Sequence, residues 1–354
     1  MTNENETVAM PDMTQTHPLD PLWSLSLMSV RADALDTALE LGLFSQLLRP
    51  QTAATLAECT QLDEAALQAL LDVLWSMGLL LRRRCHSRVP CRYGFELAGS
   101  MIRWLNPESP EYCGDSLRFR LHSMRRFGAQ LPQLLRQGSM APEAAGQSSW
   151  AQAAQSQIWQ EQGAATAGLA VQAVRQLKEL DGPRRFLDMG GGPGRVAIAL
   201  AQDQPLWQGV VFDQPETAAV AGQAIARAGL SDRVRAQGGD MEQTPLGGGY
   251  DVIWCSSVLH FCADVPKMLA RLYEALAPGG YLLAAHAELP DDRELAARIL
   301  PYYLPLRMRG RTLWRQGELA VMMRQAGFGR LHETMLESYP LAPACLVSGR
   351  REAA

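Results

Sequence analysis

Residues 186–202 read FLDMGGGPGRVAIALAQ. A short apolar run closes on Asp188 and Met189, glycine and proline fill 190–194, and apolar residues then recur at helical spacing. This is the strand–turn–helix with which an open α/β sheet meets a nucleotide. Gly190, Gly191, Gly192 and Gly194 let the backbone turn tightly and approach a ligand with no Cβ in the way. A costly but purely structural turn is the competing reading.

Downstream, the runs QGVVFDQP, RVRAQGGDM, YDVIWCSSVL, GGYLLAAHAEL and PACLVSGR alternate with helical stretches. That alternation predicts a Rossmann-like, parallel, doubly wound sheet covered on both faces. Asp213 closes the second run, 25 residues after Asp188, where an acid receives the ribose hydroxyls of an adenosine-containing cofactor. The glycines do not follow G-x-G-x-x-G, and Asp188 just ahead of them is a poor neighbour for a pyrophosphate. It suits a cation. S-adenosylmethionine carries a sulfonium and an amino group and no phosphate, so it is the expected cofactor. Gln214 and Ser256 join its binding set, and Asp240 and Met241 stand where they would flank an adenine.

Bulk composition agrees with an ordinary α/β protein. The chain has 354 residues, 47% hydrophobic and 20% charged, with a formal net charge of -4. Length suggests two domains, and the charge gives no reason to expect nucleic acid or a membrane surface. Seven scattered cysteines without a CxxC pair argue against a disulfide framework or a zinc site. A polar start without a signal pattern, and no apolar run long enough to span a bilayer, predict a cytoplasmic protein with a disordered tail over 1–20.

Ahead of the sheet, residues 21–100 predict helices over 21–48, a short one capped by Thr52 or Thr55, and a longer one from Asp63 to Gly78. A basic hairpin broken at Pro90 completes the outline of a winged helix. A DNA-binding regulator is therefore the rival class. Residues 20–100 hold seven basic against nine acidic side chains, and the candidate recognition helix 63–77 has no Arg or Lys, the opposite of what DNA requires. Arg82, Arg83 and Arg84 read as a solvated wing. Residues 101–180 are expected to form a helical linker contributing to a substrate pocket, and 181–354 the cofactor-binding catalytic domain.

Several stretches together resemble the class I, S-adenosylmethionine-dependent small-molecule O-methyltransferases, which include plant caffeate and hydroxyindole enzymes and bacterial natural-product members. ALELGLFSQL (38–47) and LLDVLWSMGLL (70–80) resemble the winged-helix dimerisation region. LDMGGGPG (187–194), VVFDQPE, RVRAQGGDM, SVLHFCADV (257–265), EALAPGGYLLAAHAEL (274–289) and GELAVMMRQAGF (317–328) follow in the family's order. The resemblance implies an intertwined homodimer and a seven-stranded sheet whose last strand runs antiparallel. It also implies that His260 removes the proton from the acceptor hydroxyl. Histidine, with a reference pKa of about 6.5, suits that work near neutrality.

Three departures stand out. Phe261 and Cys262 replace the acid and tryptophan usual after the base. Of the two glutamates that flank it in plant enzymes, the first position holds His286 and the second, near Leu313, holds no acid. Glu288 is a possible substitute. His286 is taken as a second catalytic residue, with a metal held by His260 and His286 as a less favoured reading. Methylation of carbon or nitrogen, or decarboxylation or rearrangement without methyl transfer, stays open. His122, Met124, Phe127, Trp159, Tyr302 and Tyr303 are the candidate acceptor contacts, with Trp104, Trp150, Met308 and Trp314 in the same aromatic and methionine-rich set.

Overall fold

The computed structural model describes residues 16–84, 93–138, 150–177 and 180–352. Most of the expected tail, the hairpin tip with Pro90, and the break at 139–149 lie outside them. The chain divides into two compact units, 1–106 and 107–354, so of the helices expected as a linker Gly99–Leu105 falls in the first unit and the rest in the unit that holds the sheet.

In the first unit, helices Asp20–Glu40, Leu43–Gln46, Ala53–Thr60 and Glu64–Ser76 precede an antiparallel hairpin of β1 (Leu80–Arg84) and β2 (Tyr93–Leu97). Both predicted caps form. Thr52 Oγ1 accepts the Thr55 N–H at 3.1 Å, and Asp63 Oδ1 accepts that of Ala66 at 2.8 Å, each satisfying an orphan donor of a first turn. Leu43, Phe44, Leu56, Leu71, Leu74 and Phe95 fill the core. The wing differs from expectation at Arg82. Its guanidinium lies 3.6 Å over the Trp75 ring and is paired with Asp72. Only Arg83 and Arg84 present an exposed face.

The second unit carries a seven-stranded sheet in the order β5-β4-β3-β6-β7-β9-β8. Its strands are β3 (Arg185–Met189), β4 (Gln208–Asp213), β5 (Val234–Gly238), β6 (Tyr250–Ser256), β7 (Leu276–His286), β8 (Gly329–Leu336) and β9 (Ala344–Arg350). The first five are parallel, and β9 runs antiparallel between β7 and β8. Strand alternation splits the core into two layers. Leu187, Met189, Phe212, Ile253 and Cys255 face one side, while Phe186, Val211, Val252, Trp254 and Leu283 face the other. The helices Arg195–Asp203 and Pro215–Arg227 put apolar faces on the second layer, and Val265–Ala275 and Glu318–Gln325 on the first. Chain direction thus brings Asp188, Asp213, Ser256 and His286 to one edge of the sheet, where open α/β sheets bind ligands.

Candidate active site

The glycine turn is tied to the neighbouring strand. Gly190 and Gly191 donate to the Phe212 carbonyl at 2.8 and 3.2 Å, and Gly192 donates to Asp213 Oδ2 at 2.8 Å. Two positions demand glycine for different reasons. At Gly191 a Cβ would lie 2.6 Å from Asp188 Oδ2, and at Gly192 the backbone sits at φ +59°. Gly194 closes the turn onto Gly191 O at 3.1 Å and starts the helix Arg195–Asp203.

Asp188 is 1% exposed, and its Oδ2 has no hydrogen-bond partner. Burial pushes its carboxyl up to about 7; the Ala197 backbone N–H works against that, and Asp213 adds to it. A buried acceptor without a donor is costly, and a cation placed there removes the cost. Asp213 is differently disposed. Oδ1 accepts the Gln214 N–H at 2.7 Å and Oδ2 that of Gly192, so the carboxylate braces the turn while keeping lone pairs for hydroxyl donors. Asp240 is exposed and folded on itself, taking Glu242 N–H and Gln243 Nε2 on its two oxygens. Met241 packs against the core, 3.5 Å from Cys262 Sγ. Ser256 Oγ accepts the Trp254 Nε1–H at 3.1 Å. These features fit an adenosine ligand with a cationic tail.

Beyond β6 a single 3₁₀ turn, Leu259–Phe261, carries His260. Its Nδ1 lies 2.9 Å from the Thr312 carbonyl, which fixes Nδ1–H as the donor and leaves the Nε2 lone pair directed elsewhere. Nε2 is buried without a partner. Trp314 stacks on the ring at 4.6 Å and Tyr303 meets it edge-on at 5.5 Å. Burial lowers the His260 pKa to about 4, against a smaller upward pull from the Thr312 bond.

His286 is fully buried at the end of β7, with its ring 5.3 Å from that of His260. Its Nε2 accepts the backbone N–H groups of Val258 and Leu259 at 3.2 and 3.1 Å. The proton therefore sits on Nδ1, and burial holds the ring neutral. The Nε2 lone pair is thus committed to two donors, while Nδ1 is buried without a partner. The same geometry removes that atom as a metal ligand, and no third metal-binding side chain joins the two histidines among the described residues. Glu288 gives His260 no support either. Its carboxylate accepts from Gly317 N and Leu319 N at 3.1 and 3.2 Å, capping the helix Glu318–Gln325. The partner of His260 is a backbone carbonyl, that of Thr312. No side-chain pattern could have announced it.

Of the acceptor candidates, Tyr303 belongs to the His260 nest, and Tyr302 meets Tyr303 edge-on at 5.1 Å. Burial pushes the Tyr302 hydroxyl up to about 12 and Tyr303 higher still. Beside Tyr302, Arg120 makes a two-point ion pair with Glu161 at 2.5 and 2.7 Å. Trp159 packs at the glycine turn under the Arg195 guanidinium, 4.5 Å from its ring. Phe127 is buried and Met124 half-buried, whereas His122 is exposed on its helix and does not break a buried apolar face. The Trp150 side chain lies outside the described residues. Gln162 and the Ser257–Tyr339 hydroxyl pair at 2.9 Å were not anticipated.

Two family models match the chain. The O-methyltransferase dimerisation domain covers residues 23–101 and the methyltransferase domain residues 159–333. A 3-hydroxy-5-methyl-1-naphthoate 3-O-methyltransferase of Streptomyces sahachiroi is 36% identical over 32% of this chain. The matched stretch spans about a third of that relative's length, 34%. The N,N-dimethyltransferase OxyT of Streptomyces rimosus is 29% identical over 76% of this chain and 80% of its own. Human N-acetylserotonin methyltransferase, solved with its S-adenosylmethionine, superposes with a TM-score of 0.75 at 21% identity, covering 96% of this chain and 99% of that one. The fold is that of the Rossmann-like methyltransferases with a helical N-terminal module. The chain belongs to the methyltransferase family that carries the O-methyltransferase dimerisation domain.

Proposed function

We propose that this protein transfers a methyl group from S-adenosylmethionine to a hydroxyl of a small aromatic or polyketide-like metabolite, with His260 as general base, and that it works as a homodimer. One observation carries the reading: His260 is held by Thr312 O through Nδ1, while Nε2 is buried without a partner. The bound cofactor supplies an electrophilic methyl group on its sulfonium. The chain's part is to align a nucleophile with it and take away one proton. Asp213 and the glycine turn hold the nucleoside end, with Asp240 and Met241 at the adenine, and Asp188 faces the cationic end. His260 is 2% exposed, so the aromatic cover of Tyr303 and Trp314 must part to admit an acceptor. Once covered again, the site excludes water.

A base with a pKa near 4 is neutral at physiological pH, so none of it is lost to protonation. The competent form is depleted only as pH falls through about 4, so the acid limb of the rate belongs there and not near 6.5. Nitrogen methylation is the second reading, favoured by the absence of a carboxylate behind His260 and by the relative named as an N,N-dimethyltransferase. His260→Ala separates the two. For a hydroxyl acceptor the rate falls roughly 10²–10⁴-fold, with partial recovery at high pH and unchanged affinity for S-adenosylhomocysteine. A variant that keeps more than about a tenth of its rate at neutral pH argues for an acceptor needing no base.

A further inference from the structure

The turn that carries His260 is held at both ends. At its start, His286 takes the N–H groups of Val258 and Leu259, and further on Arg311 Nη1 donates to the Phe261 carbonyl at 3.0 Å. The hold on its far end comes from the loop after β5. Glu242 Oε1 accepts the Ala263 N–H at 2.5 Å, and the neighbouring Met241 Sδ lies 3.5 Å from Cys262 Sγ. A carboxylate that accepts a backbone N–H makes a charge-assisted bond, stronger than a neutral one. Glu242 is itself fixed by its loop. Its N–H donates to Asp240 Oδ1 at 2.8 Å, while Asp240 Oδ2 takes Gln243 Nε2 at 3.0 Å. Thr244 closes the loop, donating its N–H to Asp240 O at 2.8 Å and accepting the Asp240 N–H on its hydroxyl at 3.0 Å. Arg271, on the helix Val265–Ala275, anchors it through the Thr244 carbonyl at 2.5 Å. One short loop thus holds Asp240 and Met241, the residues assigned above to the adenine, and beside them the residue that grips the turn of His260.

We infer that Glu242 is a positioning residue that couples the adenine loop to the general base. A nucleoside seated against Asp240 and Met241 steadies the loop, and the Glu242–Ala263 bond passes that order to the turn carrying His260. The inference rests on the S-adenosylmethionine reading above. Glu242 touches neither the acceptor nor the reacting atoms; it acts through the backbone of 259–263. The physical warrant is an unbroken run of bonded groups from Asp240 to Ala263 with two arrangements, the last bond made or broken. In the free protein the half-buried Glu242 carboxylate exchanges Ala263 for water from time to time, and a loop ordered by ligand makes that exchange rarer. Because the bond is made most of the time in either state, the coupling suppresses rare openings while changing cofactor affinity little. The base is then set before the acceptor arrives.

Amide hydrogen exchange, read residue by residue by NMR with and without saturating S-adenosylhomocysteine, tests it. In the wild-type protein, protection over 259–263 should rise at least about fivefold on binding, the low end of typical coupling between sites. Glu242→Leu should bind S-adenosylhomocysteine within about threefold of wild type yet show a rise of less than about twofold. Glu242→Gln keeps an acceptor oxygen and should restore most of the rise. A residue that merely props the loop would lower protection equally with and without ligand and leave the ratio untouched. That result overturns the inference, as does no rise in the wild type, or Glu242→Gln behaving as Glu242→Leu. A larger fall in affinity in Glu242→Leu would place Glu242 in the cofactor site itself and overturn it too. If the wild-type protein does not bind S-adenosylhomocysteine at all, the cofactor assignment is what fails.

Discussion

His286 joins the end of β7 to the turn that carries His260, because its Nε2 takes the N–H groups of Val258 and Leu259. We propose that it acts through the backbone, as a positioning residue. His286→Leu leaves both donors unpaired, at ~1–3 kcal/mol each, and lets the turn drift. A shift of an ångström at a catalytic group costs about 10²-fold in kcat. His286→Gln, with an amide oxygen able to accept both bonds, should stay within about tenfold of the wild-type kcat. Affinity for S-adenosylhomocysteine should be unaffected in either variant. Equal damage from Leu and Gln, or loss of a bound metal on substitution, would sink the positioning role. Asp213 carries a comparable double duty. Asp213→Asn keeps an oxygen for Gly192 N–H but loses charge, so it should weaken cofactor binding about tenfold while the fold persists. A thermal midpoint collapsing along with affinity would show that bracing the turn is its larger role.

The helix Arg293–Met308 and the segment after it form the cover of His260, supplying Tyr303, the Thr312 carbonyl and Trp314. Two prolines inside the helix, Pro301 and Pro305, lack N–H groups, so the carbonyls of Ala297 and Pro301 lose their helical donors. Such a helix opens more easily than its length suggests. Hydrogen exchange should show 295–316 exchanging faster than the helices Arg195–Asp203 and Val265–Ala275 in the free protein. Protection should rise at least about tenfold when cofactor and acceptor analogue are both bound. Uniform protection in the free protein would mean that the acceptor enters by another route.

At the scale of the whole molecule, the helix Asp20–Glu40 leaves Leu22, Trp23, Leu25, Leu27, Met28 and Val30 more than half exposed in the single chain. Leu39, Leu43, Phe44 and Leu74 are buried. Leu41, Leu48, Trp75 and Leu81 are exposed as well, though less than the start of the helix. A helix end that is exposed and apolar on all sides, inside a region matching a dimerisation domain, is what a second copy would enclose. Light scattering at micromolar concentration should report a dimer, and Leu25→Glu with Met28→Glu should shift it toward monomer. A folded, active wild-type monomer at that concentration would refute the homodimer.

The sheet was legible because its causes are local. Period-two apolar runs, the glycine turn and the capping residues Thr52 and Asp63 each act within a few residues of chain, and each appears where it was expected. Asp188, Asp213 and His260 were legible for the same reason, since the end of a parallel strand is fixed by the strand itself. What supports them was not. Thr312 O reaches His260 across 52 positions, His286 Nε2 reaches Leu259 across 27, and Gln162 reaches Gly191 across 29. Glu288 looked available until its carboxylate met a helix end 29 residues on. A lone pair can be counted from the sequence, but the donor that claims it is chosen only when distant segments pack. Tertiary structure therefore decided which of two neighbouring histidines keeps an uncommitted nitrogen lone pair, whereas the sequence by itself determined the sheet edge on which both would stand.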